Sequence, residues 1–279
     1  MVIDSHTHIF PSYFRNHRDL FLKKEPAFNL LYRSPDSKMA GMKDLISTMD
    51  EEHVDMAIIF GFPWKNEDHY KRHNDYIIES VEKAPKRLIG FCCFDPLVKN
   101  GPREVERCLS AGLKGVGELA VYDSGLTDDV IDSFDDIMSI CREHDAPVLI
   151  HTNEQVGHIY PGKQDMTLGQ IYSLVKKYPR NNIILAHWGG GLFFYKLMKR
   201  EVREALNNVW IDTAASPYLY SPEIYRVAVD IIGCDKILFG SDYPLLKPGR
   251  YFKEMKESGL NDESIKKIKG ENIEELLNF

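Results

Sequence analysis

Two histidines near the start of the chain have a spacing that suits metal binding. The apolar, β-branched opening at Val2 and Ile3 predicts a first strand. Alternate side chains of a strand share one face, so Asp4, His6 and His8 point the same way. Imidazole is a common ligand of zinc and similar divalent ions. Taken alone, the pair favours ordinary hydrogen bonds at a strand end, so residues elsewhere decide its role.

Three more residues of metal-ligand type stand where predicted strands end. His151 and His187 close the fifth and sixth predicted strands, and Asp242 follows the eighth. The carboxyl ends of parallel strands in a closed barrel meet on one face, where barrel enzymes carry their active sites. Four imidazoles and one carboxylate would therefore meet in a single cup. This convergence predicts a divalent metal site rather than five unrelated polar residues.

Short apolar strands alternate with amphipathic helices along the chain. Strands are predicted within residues 2–10, 54–60, 88–94, 115–119, 147–151, 182–187, 209–213 and 236–240. Helices are predicted near 39–49, 67–83, 102–111, 128–144, 167–178, 192–206 and 222–232. Eight such units predict an α/β fold, a single (β/α)8 TIM barrel that forms one domain over residues 1–279. A dinucleotide-binding sheet loses its main support because no Gly-x-Gly-x-x-Gly follows the first strand.

Two segments lie outside this alternation. Residues 11–37 form a long stretch after the first strand, and it carries five aromatic residues: Tyr13, Phe14, Phe21, Phe28 and Tyr32. The stretch is predicted to be an irregular loop, either a packed lid or a surface excursion. Residues 261–279 predict a C-terminal helix docked on the outside of the barrel.

Composition limits the partners of the protein. The formal net charge of −7 gives no basic stripe, so nucleic acid and anionic membrane surfaces are not expected partners. The five cysteines include no C-x-x-C pair and predict buried thiols in a reducing compartment. No run approaches the roughly 18 apolar residues of a membrane span. We expect a cytoplasmic protein that binds a small molecule, and a homo-oligomer stays open.

Four segments together resemble a known superfamily. They are Ile3–His8, Leu149–Glu154, Ala186–Gly190 and Leu238–Pro244. The pattern resembles the amidohydrolase superfamily, and more narrowly its amidohydrolase 2 branch. That branch includes aminocarboxymuconate-semialdehyde decarboxylase-like proteins and many predicted metal-dependent hydrolases. The resemblance implies a TIM barrel with a metal site and is far less specific for the substrate.

The resemblance implies roles for individual residues. His6, His8 and His151 would bind metal, and His187 would bind a second metal or polarise a substrate carbonyl. Asp242 would bind metal and accept the proton of the attacking water.

The fourth predicted strand departs from the superfamily pattern. Much of the superfamily has a carboxylated lysine at the end of this strand that bridges two metals, whereas this chain has Glu118 there. Glu118 is therefore a candidate sixth ligand, or else an ordinary hydrogen-bonding carboxylate. The sequence is compatible with a site for one metal ion or for two.

The segment after the fifth strand is the candidate region for substrate selection. Asn153 and Glu154 begin a polar loop that runs to Lys163. Lys163 could meet a substrate carboxylate or be solvated. Trp188, next to His187, could line the pocket or pack in the core.

The leading prediction for function is a metal-dependent hydrolase. A bound divalent ion can lower the pKa of its water from about 15.7 to about 7, which supplies hydroxide to attack a C–N or C–O bond of a small polar substrate. The alternative is a non-oxidative decarboxylase of an aromatic or unsaturated carboxylic acid on the same site. A barrel used only for binding is disfavoured, since every ligand-type residue is present. Zinc is the expected ion, although such donors also accept manganese, iron or nickel.

Overall fold

Eight short segments form parallel strands that pair in sequence order. The computed structural model describes residues 1–122 and 124–278. Its strands are β1 (Ile3–His8), β2 (Met56–Phe60), β3 (Leu88–Cys92), β4 (Gly115–Leu119), β5 (Val148–Ile150), β6 (Ile183–Leu185), β7 (Val209–Asp212) and β8 (Ile237–Leu238). Nearly all of their residues are buried, which explains why most of these strands read as apolar runs, although β1 is largely polar after Ile3.

Hydrogen bonds between β8 and β1 close the barrel. The backbone N–H of Ser5 donates to the carbonyl of Phe239 at 2.8 Å, and that of His8 donates to the carbonyl of Tyr243 at 2.8 Å. The Asp242 N–H donates to the carbonyl of His6 at 3.0 Å. The predicted (β/α)8 barrel is therefore confirmed, and its closure places Asp242 beside the first strand.

Helices connect the strands on the outside of the barrel. The α-helices are Ser12–Asn16, Arg18–Leu22, Pro26–Tyr32, Met42–Glu51, Glu67–Lys83, Gly101–Ser110, Asp128–Asp132, Asp135–Glu143, Leu168–Lys177, Arg200–Ala205, Ser216–Leu219, Glu223–Ile232, Pro248–Glu257, Asp262–Lys266 and Asn272–Leu276. Ala186–Gly189 is a tight turn with left-handed residues. Leu192–Leu197 and Cys234–Lys236 are 3-10 turns, and Lys267–Glu271 is a π-helical turn. The sequence analysis did not predict Pro248–Glu257.

Two predicted helices are interrupted. The helix expected over 128–144 breaks at Ser133, whose hydroxyl donates to the carbonyl of Val130 at 2.7 Å and so competes with the helical pattern. The helix expected over 192–206 starts as a 3-10 turn and continues as α-helix only from Arg200.

The stretch after β1 is a packed cover rather than an irregular loop. Residues 11–37, here called the cover segment, contain three short helices. Phe14, Phe21 and Phe28 are buried, with ring centroids 4.6, 5.8 and 4.7 Å from that of Trp64, which follows β2. Sequence patterns missed these helices because each is only five to seven residues long and aromatic packing, not helical periodicity, stabilises them.

The C-terminal region packs against the smaller of two apolar core clusters. Ile273 and Leu276 join Ile3, Ile89 and Leu238 in that cluster. None of the helices among the described residues combines the length and the apolar character that a membrane crossing requires.

The packing of the cover segment predicts a large loss of stability for one variant. Phe28→Ala should lower the free energy of unfolding by about 3–5 kcal/mol, because it opens a cavity under Trp64. Leu30→Ala, in the same helix but 44% exposed, is the matched control and should change it by less than about 0.5 kcal/mol. Chemical denaturation measures both. Equal effects would contradict a cover that is part of the core.

Candidate metal centre

The predicted ligand residues converge at the carboxyl ends of the strands. His6 and His8 lie at the end of β1, Glu118 lies in β4, and His151 follows β5 directly. His187 and Asp242 follow β6 and β8. Ring centroids of His6 lie 5.2 Å from His8 and 5.4 Å from His187, while those of His151 and His187 are 5.0 Å apart.

One group of donors forms around β1. The Nε2 atoms of His6 and His8 lie 3.6 and 3.5 Å from Oδ1 of Asp242. The same two nitrogens lie 3.8 and 3.6 Å from Oε2 of Glu118. The side chains of Asp242 and His8 are 16% and 13% exposed, which places them at the mouth of the cup.

A second group forms around the other oxygen of Glu118. Oε1 accepts a hydrogen bond from Nδ1 of His151 at 2.9 Å and lies 3.4 Å from Nε2 of His187. Glu118 is buried and thus stands between the two histidine pairs. The site does bring together all six residues that the sequence analysis named as candidate ligands.

The hydrogen bonds of the imidazoles fit a bound cation. In three of the rings Nδ1 donates a hydrogen bond to a protein oxygen. The acceptor is Asp212 for His6 (2.7 Å), the Gly61 carbonyl for His8 (3.1 Å) and the Ala214 carbonyl for His187 (3.1 Å). Each neutral ring therefore keeps its lone pair on Nε2. The Nε2 atoms of His6 and His151 are buried and have no hydrogen-bond partner among the described residues. A divalent ion would satisfy these acceptors.

Asp212, at the end of β7, orients this site, and the sequence analysis did not select it. Its Oδ2 accepts from His6, and its Oδ1 accepts from the backbone N–H groups of His187 (2.8 Å) and Ala214 (3.0 Å). The carboxylate is completely buried. Its position at a strand end, like those of the selected ligands, is the signal that could have found it.

The backbone is strained at several residues of the site. His187, Trp188, Ala215 and Asp242 all have φ between 56° and 59°, in the left-handed region that L-residues rarely adopt. Gly190 also has a positive φ, and a side chain there would clash with the carbonyl oxygen of Asn153. Strained conformations of this kind concentrate at functional sites.

The carboxylates of the centre are ionised at neutral pH. Burial alone would raise the pKa of Asp242, but the hydrogen bond from His8 and the charges of His6 and His187 lower it to about 2. Burial would likewise raise the pKa of Glu118, and the charges of His6 and His151 hold it well below its usual range.

The pKa values of two imidazoles, those of His6 and His187, shift in the opposite direction. Burial would lower the pKa of His6, but the negative charges of Asp212 and Glu118 raise it to about 10. Burial would also lower the pKa of His187, but Glu118 and Asp242 raise it to about 9. The centre therefore has an electrostatic potential that attracts protons or cations.

The predicted substrate loop is internally bonded. Lys163 directs its ammonium group to Glu154 (2.9 Å) and to the carbonyls of Val156 (2.8 Å) and His158 (3.3 Å). The amide of Asn153 pairs with the backbone N–H and carbonyl of Gln164. These contacts shape the loop.

Trp188 is completely buried. Its indole N–H donates to Ser216 at 2.9 Å, and its ring packs on Tyr225.

Comparison with known proteins identifies the family. The amidohydrolase family model matches residues 3–279. The chain belongs to the amidohydrolase family. The chain is 25% identical over 255 residues to the gamma-resorcylate decarboxylase of Polaromonas sp., covering 74% of this chain and 75% of the relative.

Solved structures share the amidohydrolase barrel. The 5-carboxyvanillate decarboxylase of Sphingomonas paucimobilis superposes with a TM-score of 0.79 at 15% identity, covering 100% of this chain and 99% of the other. A dihydroxybenzoic acid decarboxylase of Polaromonas sp., solved with manganese and the inhibitor 2-nitroresorcinol, gives a TM-score of 0.73 at 20% identity, covering 99% and 96%.

The role of Asp212 predicts weaker metal binding in Asp212→Asn. The amide can still accept from His187 and Ala214, but its NH2 group would face Nδ1 of His6 and move the ring proton to Nε2, where the metal lone pair is needed. Manganese titration should show roughly 10- to 100-fold lower affinity. Asp230→Asn, an exposed acid, is the control. Unchanged affinity in a folded Asp212→Asn protein would contradict the role.

The raised imidazole pKa values predict that metal affinity increases with pH. Below about pH 9, His6 and His187 carry protons that a cation must displace, whereas Asp242 stays ionised down to about pH 2. Affinity for manganese should therefore rise between pH 6 and 8 and level off above about pH 10. Calorimetric titration in two buffers of different ionisation enthalpy measures the released protons. A flat profile would contradict this reading.

Proposed function

We propose that this protein is a metal-dependent, non-oxidative decarboxylase of an aromatic carboxylic acid. The observation that carries the proposal is the pair of buried Nε2 atoms, those of His6 and His151, that have no hydrogen-bond partner among the described residues and lie beside two ionised carboxylates. The curated relatives of the chain include the gamma-resorcylate decarboxylase. The named activities of the structural neighbours support decarboxylation over the hydrolysis predicted from the sequence.

The six converging side chains are the proposed ligand set. A bound divalent ion would hold the carboxylate of the substrate and withdraw electron density from it. Both groups of donors draw on Glu118, so we propose Glu118 as a ligand of one ion or a bridge between two. The metal-to-protein ratio from elemental analysis separates these arrangements. The manganese-bound neighbour makes manganese, beside zinc, the ion to load first.

Asp242 is the proposed proton carrier. It is ionised and lies at the mouth, so it can take the proton of a substrate hydroxyl ortho to the carboxylate. It then returns that proton to the ring carbon that bears the carboxylate. The C–C bond breaks, its electrons restore the aromatic ring, and CO2 leaves. The phenolate product takes a proton from water on release.

The burial of the site suits this chemistry. His6 and Asp212 are completely buried, and the aromatic cover segment packs over β2 beside the mouth. A site shielded from water strengthens the hold of charged groups on an anionic substrate.

Isotopic labelling tests the proposed function. Manganese-loaded protein is incubated with 2,6-dihydroxybenzoate and other aromatic acids in D2O. Decarboxylation should release CO2 and place one deuterium at the carbon that carried the carboxylate. Asp242→Asn should lose at least about 100-fold in turnover, the lower range for a positioned acid or base. Asp235→Asn, exposed before β8, should match the native protein.

The alternative outcomes are distinct. If no acid releases CO2 and oxygen from water is incorporated into cleaved amides, esters or lactones, the protein is a hydrolase and the proposal is wrong. Full activity in Asp242→Asn would remove Asp242 from the reaction.

A further inference from the structure

Two tyrosines that the sequence analysis did not assign to the site stand beside the metal centre. Tyr32 ends the last helix of the cover segment, and Tyr122 follows β4 four residues after Glu118. Both are half-buried. Among the described residues, neither hydroxyl has a hydrogen-bond partner.

Packing places Tyr32 on the side of His8. Its ring centroid lies 5.2 Å from Phe10 and 5.8 Å from Phe62. Phe10 is two residues after His8, and Phe62 follows Gly61, whose carbonyl accepts from His8. The neighbouring Leu31 lies against Gly162, at the end of the loop after β5.

Packing places Tyr122 on the side of His151. The two ring centroids are 5.6 Å apart at an interplanar angle of 45°. Because Glu118 stands between the pair that includes His8 and the pair that includes His151, the two phenols flank the cup on either side.

Both phenols remain neutral donors. A phenol has an ordinary pKa of about 10, so a tyrosine hydroxyl is protonated at neutral pH without any shift. Each hydroxyl can therefore donate a hydrogen bond to an oxygen of a ligand.

Two cations of this region, Lys163 and Arg18, are already engaged. Lys163 is bound by Glu154 and two carbonyls. Arg18, whose charge acts on Tyr32, directs its two terminal nitrogens to the carbonyls of Ser34 and Ser37 at 2.7 Å each. With these two cations engaged, a second carboxylate on a substrate would lie beside the acidic side chains described at the mouth, and burying such a charge is costly.

We propose that Tyr32 and Tyr122 are specificity-determining residues that donate hydrogen bonds to neutral oxygen substituents of the ring, so that the substrate is a hydroxylated arene with one carboxylate rather than two. This inference rests on the proposed function and names its substrate class. The metal site holds the single carboxylate, and the phenols recognise the ring hydroxyls. A ring without those oxygens leaves both donors unpaired.

Ligand binding to Tyr→Phe variants tests the inference. The manganese-loaded native protein, Tyr32→Phe and Tyr122→Phe are titrated calorimetrically with 2,6-dihydroxybenzoate and with benzoate, and kcat and KM are measured where CO2 is released. Each variant should bind the dihydroxy acid roughly 3- to 10-fold more weakly, the usual value of one neutral hydrogen bond. For benzoate the change should fall below about 2-fold, because the lost donor has no partner there. Metal content should be unchanged.

Two controls make the test specific. Tyr172→Phe removes an equally unpartnered hydroxyl from the helix Leu168–Lys177 and should bind both acids like the native protein. The dicarboxylate 2-hydroxyisophthalate should bind the native protein at least about tenfold more weakly than 2,6-dihydroxybenzoate, because its second charge lacks a partner.

The outcomes separate the inference from the proposed function. Equal losses for both acids, no losses, or tighter binding of the dicarboxylate would overturn the role of the tyrosines. If the acids bind with the expected differences but no CO2 is released, the proposed reaction fails while the recognition stands. If CO2 is released and the variants match the native protein, the recognition alone fails.

Discussion

The buried carboxylate of Asp212 is the interaction on which the centre depends. It joins the side chain of His6 from β1 to the backbone after β6 and to its own strand end. One charged group thus sets the ring orientation of a candidate ligand and holds His187 in a left-handed conformation that costs on the order of 1–3 kcal/mol. Replacement by a neutral residue would affect both at once.

The charges around this carboxylate are balanced only when something positive is present. Glu118, Asp212 and Asp242 face four imidazoles, and these negative charges raise the pKa values of His6 and His187. Protons and a divalent ion therefore compete for the same lone pairs on the imidazole nitrogens. Two neutral phenols, those of Tyr32 and Tyr122, flank these charged groups.

The sequence predicts the barrel and the convergence of its candidate ligands because both follow local rules. Apolar runs of a few residues predict buried parallel strands, and histidines at the ends of such runs must converge once the barrel closes. The role of Asp212 depends on a contact across 206 residues of sequence, and that of Lys163 depends on the path of its own loop. Neither can be derived from spacing. The cover helices escaped prediction because aromatic contacts with Trp64, absent from any local pattern, stabilise them.

Barrel closure between β8 and β1 has a consequence for synthesis on the ribosome. Asp242 is translated more than 200 residues after His8, and backbone hydrogen bonds between β1 and the segment after β8 bring the two residues together. Until Asp242 has left the exit tunnel, a growing chain holds the two imidazoles without this carboxylate. Binding of a divalent ion by the whole group of candidate ligands would therefore follow closure of the barrel.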